Sequence, residues 1–277
     1  MKITSYGPGD SANKHANIVL VDKHKFKDLE HFRQYVQGLV MHDRFKRKER
    51  KEPHYFLFSE APFPEDYLPP EEEVKETMEY LKQYMKLNNP WARIAVSVNQ
   101  HHPQAGKQHV EHSNTGYVVG AGKVESYPKM ILTHGDRDII HAFNERNEHR
   151  VASEDAWEAR MHRTHELKPV FPRHNLNAGR HPIEYRICAD AEQDTATVTK
   201  EIAAVSGHEV QDYQLKYLQQ FRKAVMVNDS HRDIGRRVVM GGRDGEQFHL
   251  GKLQSGQRDR LRTFLTRERM RIHHVHG

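Results

Sequence analysis

The stretch from His54 to Val98, HYFLFSEAPFPEDYLPPEEEVKETMEYLKQYMKLNNPWARIAVSV, decides the fold class. Its two ends, 54–59 (HYFLFS) and 91–98 (WARIAVSV), are apolar enough for buried strands. Between them, PPEEE begins a helix, because proline suits the first helical turn and acidic side chains complement the positive end of the helix dipole. Apolar residues then recur every three or four positions to about Leu87, and 88–90 (NNP) ends the helix. A strand, a helix and a strand in this order favour a sheet with helices packed on it.

The flanking segments extend this order. Residues 18–21 are typical of a strand and 26–41 of a helix, and the glycine-rich turn 120–123 joins two predicted strands, 117–119 and 124–132. The remaining patterns predict helices over 135–149, 153–165 and 208–224, a strand over 185–189 and a basic helix over 255–272. We therefore predict an α+β protein with a mixed, largely antiparallel sheet flanked by helices and a basic C-terminal helical extension. The predicted domains are an α+β core over 1–230 and a basic segment over 231–277.

Composition excludes several classes of protein. The 277 residues are 36% hydrophobic and 29% charged with a mean hydropathy of -0.90, and no run reaches the roughly 18 apolar residues of a membrane-spanning helix. The N-terminal residues lack the apolar centre of a signal peptide. We therefore expect no membrane partner and a cytoplasmic or virion-associated location. The single cysteine, Cys188, excludes a disulfide framework and an all-cysteine metal site, and we interpret it as a small core residue.

Basic character is concentrated at the C-terminus. The chain has a formal net charge of +5 and a pI near 9.1, and residues 231–277 contain eleven Lys and Arg against five Asp and Glu. A second basic cluster spans 44–51. Such clusters attract nucleic-acid phosphates, and the alternative is a solvated arginine-rich helix that keeps the protein in solution. The side chains predicted to bind nucleic acid are Arg44, Lys46, Arg47, Lys48, Arg50, Lys51, Arg258, Arg260, Arg262, Arg267, Arg269 and Arg271.

Histidines cluster directly after the predicted strand that ends at Val98. Residues 99–114 contain four of the chain's 22 histidines, His101, His102, His109 and His112. Imidazole and carboxylate groups are the ligands that zinc or manganese takes where thiols are absent. The cluster therefore indicates a divalent metal site for Mn, Mg or Zn. The alternative is a polar surface loop between two strands, in which histidine is common.

The order of these elements resembles that of relaxases of the HUH nicking-endonuclease family. The resemblance covers about residues 18–130 and rests on the strand HYFLFS, the helix led by PPEEE, the strand ARIAVSV, and the histidines and hairpin that follow. It implies a tyrosine that attacks DNA phosphate and clustered histidines that hold the activating metal. Tyr35, on the early helix, lies where the nucleophile would be. His109 and His112 fall where the histidine motif would sit, with His101 or His102 as a further ligand.

These features suggest three functions. The first is a metal-dependent DNA nicking endonuclease with Tyr35 as its nucleophile. The alternative is a non-catalytic nucleic-acid-binding or assembly protein, such as a virion, replication or packaging component. A further alternative is a module whose basic C-terminal helix docks on an acidic protein partner. Nucleic acid is the partner in the first two, with DNA favoured over RNA.

Overall fold

The computed structural model describes residues 2–6, 16–21, 26–46, 54–58, 62–64, 67–103, 110–129, 141, 175–176, 183–187, 225–229, 238–241, 246–249, 253–267 and 270–276. The described helices are α1 (Leu29–Lys46), α2 (Glu71–Asn88) and α3 (Ser255–Arg267). The described strands are β1 (Lys2–Tyr6), β2 (Ala16–Val21), β3 (His54–Phe58), β4 (Ala92–Pro103), β5 (Val110–Gly120), β6 (Val124–Pro128), β7 (Asn175–Leu176), β8 (Ile183–Ile187), β9 (Val225–Asp229), β10 (Val238–Gly241), β11 (Glu246–His249) and β12 (Met270–His276). These elements form two mixed sheets with helices.

The first sheet has seven strands in the order β1-β12-β2-β3-β4-β5-β6. Its centre is parallel, because β12, β2, β3 and β4 run in one direction. β1 is antiparallel to β12, and β5 is antiparallel to both β4 and β6. β6 therefore runs in the same direction as β3 and β4. The carboxyl ends of β3, β4 and β6 and the amino end of β5 lie at the same edge, which we call the carboxyl edge.

The second sheet has five strands in the order β11-β10-β9-β8-β7. Only β8 and β9 are parallel among its described pairs. The two sheets meet where β8 lies against β5. The described strand pairs comprise six antiparallel and four parallel ones. The predicted α+β class with a mixed, largely antiparallel arrangement is confirmed.

The C-terminal segment takes part in both sheets. β12 lies between β1 and β2, with Ile272 opposite Ile18, and β10 pairs with β9 across the predicted boundary at residue 230. The predicted helix over 255–272 is present but ends at Arg267. The chain then becomes a strand, because β1 and β2 satisfy its backbone N–H and C=O groups on both sides. The basic segment 231–277 therefore contributes β10, β11 and β12 to the two sheets, and the domain boundary at residue 230 remains a prediction.

Helices α1 and α2 cover one face of the first sheet, the helix face. Aromatic side chains dominate the core between them: the ring centroid of Phe32 lies 5.1 Å from Phe26, 5.2 Å from Phe58 and 5.8 Å from Phe63. The predicted helix over 71–87 is confirmed as α2, which buries Val74 and three further apolar side chains against the sheet. Each large side chain buried in this way contributes about 1.5–3 kcal/mol to the free energy of folding.

The opposite face of the first sheet is also buried. Ile18, Leu20 and Leu57 are at most 1% exposed there. α3 packs on β12 and β1, and its Phe264 ring lies 5.4 Å from Phe248 of β11 in the second sheet. We call this the inter-sheet face, since strands of the second sheet and helix α3 meet it.

Some of the other predicted elements are present, and some lie outside the described residues. The turn 120–123 is confirmed, with the Gly120 N–H donating to the Lys123 carbonyl at 3.0 Å. The predicted strand at 185–189 overlaps β8. The predicted helices over 135–149, 153–165 and 208–224 lie outside the described residues, apart from residue 141. Within the described ranges, no helix is long and apolar enough to cross a membrane.

Candidate functional site at the carboxyl edge of the sheet

Polar side chains replace apolar ones where β4 and β5 reach the carboxyl edge. The two strands pair continuously, from Arg93 opposite Gly120 to Pro103 opposite Val110. Successive side chains of a strand point to opposite faces. Because Val98 of β4 belongs to the helix-side core, residues 100 and 102 share the helix face with residues 113 and 115 of β5. The residues between them point to the inter-sheet face.

The inter-sheet face carries three buried polar side chains in a row across three strands. Asn99 of β4 is opposite Asn114 of β5, and Lys129, directly after β6, donates its backbone N–H to the Asn114 carbonyl at 2.7 Å. The exposed fractions of Asn99, Asn114 and Lys129 are 6%, 1% and 3%. We call these residues the Lys129 row. A lysine is almost never this deeply buried without a partner, because moving an ammonium out of water is unfavourable.

Two histidines lie next to the Lys129 row on the same face. His101 is opposite His112, and both are buried. His101 Nδ1 donates to the Leu68 carbonyl at 2.7 Å, and His112 Nε2 lies 3.2 Å from Asn99 Oδ1. These bonds set the orientation of both imidazole rings. The inter-sheet face thus combines one ammonium, two carboxamides and two imidazoles at one edge.

The helix face carries a hydrogen-bonded chain of a carboxylate, an imidazole and a hydroxyl. Glu71, the first residue of α2, accepts from His102 Nδ1 at 2.5 Å. His102 Nε2 lies 2.6 Å from the Ser113 hydroxyl, which in turn lies 3.0 Å from Thr115 Oγ1. We call Glu71, His102 and Ser113 the Glu71 relay. In the neutral imidazole, a proton held on Nδ1 leaves Nε2 to accept from the serine hydroxyl.

The surroundings shift the pKa of two groups on the helix face. Burial raises the pKa of Glu71, but hydrogen bonds from Lys75 and His102 outweigh it, so the pKa of this carboxyl is lowered from its ordinary value. Burial raises the pKa of Tyr117 far above that of a free phenol, against a smaller opposite effect of its hydrogen bond to Gln100. Glu71 is therefore a carboxylate near neutral pH, and Tyr117 is a neutral hydroxyl that donates to Gln100 at 2.7 Å.

The predicted metal ligands do not converge within the described part of the chain. His102 points to the helix face, where both of its ring nitrogens are hydrogen-bonded, whereas His101 and His112 point to the inter-sheet face. His109 lies outside the described residues. Among the described side chains, no group of three or more His, Cys, Asp and Glu is placed to hold a metal ion. The divalent metal site therefore remains a prediction.

Tyr35 lies on α1 as part of the aromatic packing against the first sheet. It is partly buried, and its ring centroid lies 5.3 Å from that of Phe26 and 6.2 Å from that of Phe58. Burial raises the pKa of its hydroxyl, which disfavours the phenolate. Its role as a nucleophile remains a prediction.

The predicted phosphate-binding residues fall in three places. Arg258, Arg260, Arg262 and Arg267 are exposed on α3, where they flank the buried stripe of Leu261, Phe264 and Leu265 on both sides. Arg271 lies in β12 and is partly buried. The side chains of Arg44 and Lys46, at the end of α1, are outside the described residues, as are Arg47, Lys48, Arg50, Lys51 and Arg269.

Two residues at this edge, Lys129 and Glu71, were not predicted as site residues from the sequence. Lys129 carries no local signal, because lysine is common on surfaces, and its burial follows from the pairing of β5 with β6. Glu71 was identified only as a helix start. The one available signal was the continuous run of polar residues along 99–102 and 112–115, which a hairpin between these segments would have sorted into two faces.

Comparisons with known proteins give no family for this chain. No protein-family description matches it, and no curated protein matches it. Among solved structures, it is similar to a glutamine-dependent NAD(+) synthetase from Cytophaga hutchinsonii, with 12% identity and a TM-score of 0.35 over 85% of this chain and 39% of that chain. The chain thus spans about two fifths of that protein's length. At this TM-score the likeness shows neither a shared fold nor a shared function.

Proposed function

We propose that this protein is an enzyme that catalyses acyl transfer, in its simplest form the hydrolysis of a small amide, at the Lys129 row. The supporting observation is the burial of Lys129, 3% exposed, on the same face as Asn99 and Asn114. A buried ammonium interacts strongly with negative charge that develops on a nearby carbonyl oxygen, since little water screens it.

The proposal assigns the nucleophile and the acid-base group to two residues that follow strands of this region in the sequence. β8, the strand that lies against β5, ends at Ile187, and the next residue is Cys188, the only thiol of the chain. β3 ends at the carboxyl edge with Phe58, and Glu60 is the first carboxylate after it. Both lie outside the described residues, so their roles rest on adjacency in the sequence. A nearby ammonium favours the thiolate, which is the nucleophilic form of cysteine. The proposal replaces the interpretation of Cys188 as a core residue.

Each group has a defined part in the proposed reaction. The Cys188 thiolate attacks the carbonyl carbon, a C–S bond forms, and the Lys129 ammonium stabilises the resulting oxyanion. The C–N bond breaks as the leaving amine takes a proton, with Glu60 as the acid. Water, deprotonated by the Glu60 carboxylate, then hydrolyses the thioester and restores the thiol. The amide is converted to a carboxylic acid and an amine with no oxidant or reductant.

The test compares the reactivity of Cys188 in the wild type and in Lys129→Met. Alkylation by iodoacetamide at pH 7 is followed by mass spectrometry, and release of amine from a panel of small carboxamides is measured in parallel. We expect Lys129→Met to slow alkylation about 10-fold and Cys188→Ser to abolish hydrolysis. Lys123→Met is the matched control, because Lys123 is an exposed lysine in the turn before β6. Equal alkylation rates in the wild type, Lys129→Met and Lys123→Met, with no carboxamide hydrolysed, would overturn the proposal.

A second candidate function is the binding of nucleic acid through α3, which four exposed arginines favour. Phosphate contacts by these side chains make the affinity fall steeply with salt. Replacing Arg258 and Arg262 with glutamine should reduce the slope of log K against log[salt] by about 2, if each arginine neutralises one phosphate. The control replaces Arg33 of α1 with glutamine and should leave the slope unchanged. An unchanged slope in the α3 variant would favour an acidic protein partner or a solvated helix.

The nicking reaction is tested separately, because its proposed nucleophile, Tyr35, lies on α1. Supercoiled DNA incubated with the wild type or Tyr35→Phe, with manganese or with EDTA, is resolved on a denaturing gel. Metal-dependent nicking that Tyr35→Phe lacks would establish Tyr35 as the nucleophile. Nicking by the variant at the wild-type level would exclude that role.

A further inference from the structure

The Glu71 relay has the three groups of a serine-type nucleophilic centre in hydrogen-bonding order. Glu71 lies 2.5 Å from His102 Nδ1, and His102 Nε2 lies 2.6 Å from Ser113 Oγ. A nucleophile within hydrogen-bonding reach of a base, which a third group orients, is the signature of an activated hydroxyl. Both distances are short enough for direct proton transfer along the chain.

We propose that Ser113, His102 and Glu71 form a second nucleophilic site on the helix face, which takes small neutral acyl esters. This site shares no residue with the Lys129 row, because strand alternation places the two on opposite faces of β4 and β5. The proposal therefore does not depend on the function assigned to Lys129.

The start of α2 holds the carboxylate that orients His102. The first N–H groups of a helix have no partner within the helix, and Pro70, the N-cap of α2, makes no side-chain hydrogen bond to them. Glu71, whose carboxylate accepts from His102, is the first residue of that helix. The positive end of the helix dipole therefore favours the ionised form of this carboxylate.

The charges and exposure around the relay define the substrate class. Glu71, Glu72 and Glu73 in the first turn of α2 repel anionic substrates, so neutral esters are favoured. The side chains of His102 and Glu71 are 27% and 24% exposed, whereas Ser113 is 2% exposed. The exposed end of the relay is therefore its imidazole and carboxylate. This geometry favours small acyl groups.

The proposed step balances without a further reactant. The Ser113 oxygen attacks the ester carbonyl carbon as its proton passes to His102 Nε2, and the Glu71 carboxylate stabilises the imidazolium. The ester C–O bond breaks, and the leaving alcohol takes the proton from His102. Water then cleaves the acyl-serine by the same route, which gives a carboxylic acid and free Ser113.

The test uses a small alkyl fluorophosphonate, which phosphonylates an activated serine and releases fluoride. The full-length protein is treated with it, and the labelled residue is located by peptide mass spectrometry. We expect labelling at Ser113 and at no other serine. His102→Gln should reduce the labelling rate at least 100-fold, and Glu71→Gln at least 10-fold. Ser126→Ala, which removes an exposed serine of β6, should label at the wild-type rate.

The outcomes separate this proposal from the proposed function and from a purely structural network. Labelling at Ser113 that persists in Lys129→Met and Cys188→Ser supports an independent site, because neither variant changes a residue of the Glu71 relay. A protein that keeps its circular dichroism spectrum but is not labelled at Ser113 overturns the proposal. Labelling at Ser113 that His102→Gln leaves unchanged also overturns it, since the hydroxyl would not then depend on the imidazole.

Discussion

Buried polar groups are arranged differently on the two faces of β4 and β5, although both sets lie at the carboxyl edge of the sheet. On the helix face, Glu71, His102 and Ser113 are linked to one another at 2.5 and 2.6 Å. On the inter-sheet face, the residues of the Lys129 row are only 1–6% exposed, and Lys129 and Asn114 are joined by a backbone hydrogen bond of 2.7 Å. A fully hydrogen-bonded network of side chains stabilises one particular packing, whereas the burial of a charged group costs free energy of desolvation. The helix face therefore has a hydrogen-bonded chain of side chains, whereas the inter-sheet face has deeply buried polar residues aligned across neighbouring strands.

The largest expected effect tests the apolar part of the helix face. Phe32→Ala removes a fully buried ring that contacts three other aromatic rings. We expect the free energy of unfolding to fall by about 3–5 kcal/mol, because a cavity remains where the ring was. Urea titration followed by circular dichroism measures this change. Leu87→Ala on α2, 79% exposed, is the control and should change stability by less than about 0.5 kcal/mol.

A smaller loss is expected for a polar member of the helix face. Tyr117→Phe removes the hydroxyl that donates to Gln100 and leaves a buried amide oxygen without this bond. The free energy of unfolding should fall by about 1–3 kcal/mol, as measured by urea titration. Tyr80→Phe is the matched variant, because the Tyr80 hydroxyl also takes part in a hydrogen bond but the residue is 42% exposed. Equal losses in the two variants would show that burial does not distinguish them.

The buried lysine of the inter-sheet face should also contribute to stability. Lys129→Met keeps the volume of the side chain but removes an ammonium that takes part in an interaction inside the protein, so we expect the free energy of unfolding to fall by about 1–3 kcal/mol. Thermal unfolding monitored by circular dichroism measures the change, with Lys123→Met, at an exposed turn position, as the control. An unchanged or raised stability would show that the ammonium contributes no net stabilisation.

The smallest expected effect is a dependence of stability on pH at the Glu71 relay. Because the pKa of Glu71 is lowered in the folded protein, its contribution to stability is present above the ordinary carboxyl value of 4.5 and is lost as pH falls through the lowered pKa. Urea midpoints of the wild type and Glu71→Gln, measured from pH 7 to pH 3, should therefore converge at the acidic end. A constant difference between them over this range would contradict the assignment.

The chain of elements from β3 to β4 was predictable, whereas the site was not. The start of α2 at Glu71 follows from PPEEE, and the turn 120–123 follows from its glycines, since both signals are local. The predicted helix over 255–272 included the first residues of β12, because Leu261, Phe264, Leu265 and Met270 fit a helical period. Only pairing with β1 and β2 made 270–276 a strand. The extension of β5 to Val110 was not predicted for the same reason, because pairing with β4 determines where β5 begins.

The sequence by itself determined the class of the fold, the basic character of the C-terminus and the presence of a polar cluster near residues 99–114. These properties depend on local periodicity and composition. The tertiary structure alone decided that His101 and His102 point to opposite faces, that Glu71 reaches His102 across 31 residues, and that Lys129 is buried beside Asn114. The physical reason is that strand register, which sorts side chains between two faces, is set by partners distant in the chain.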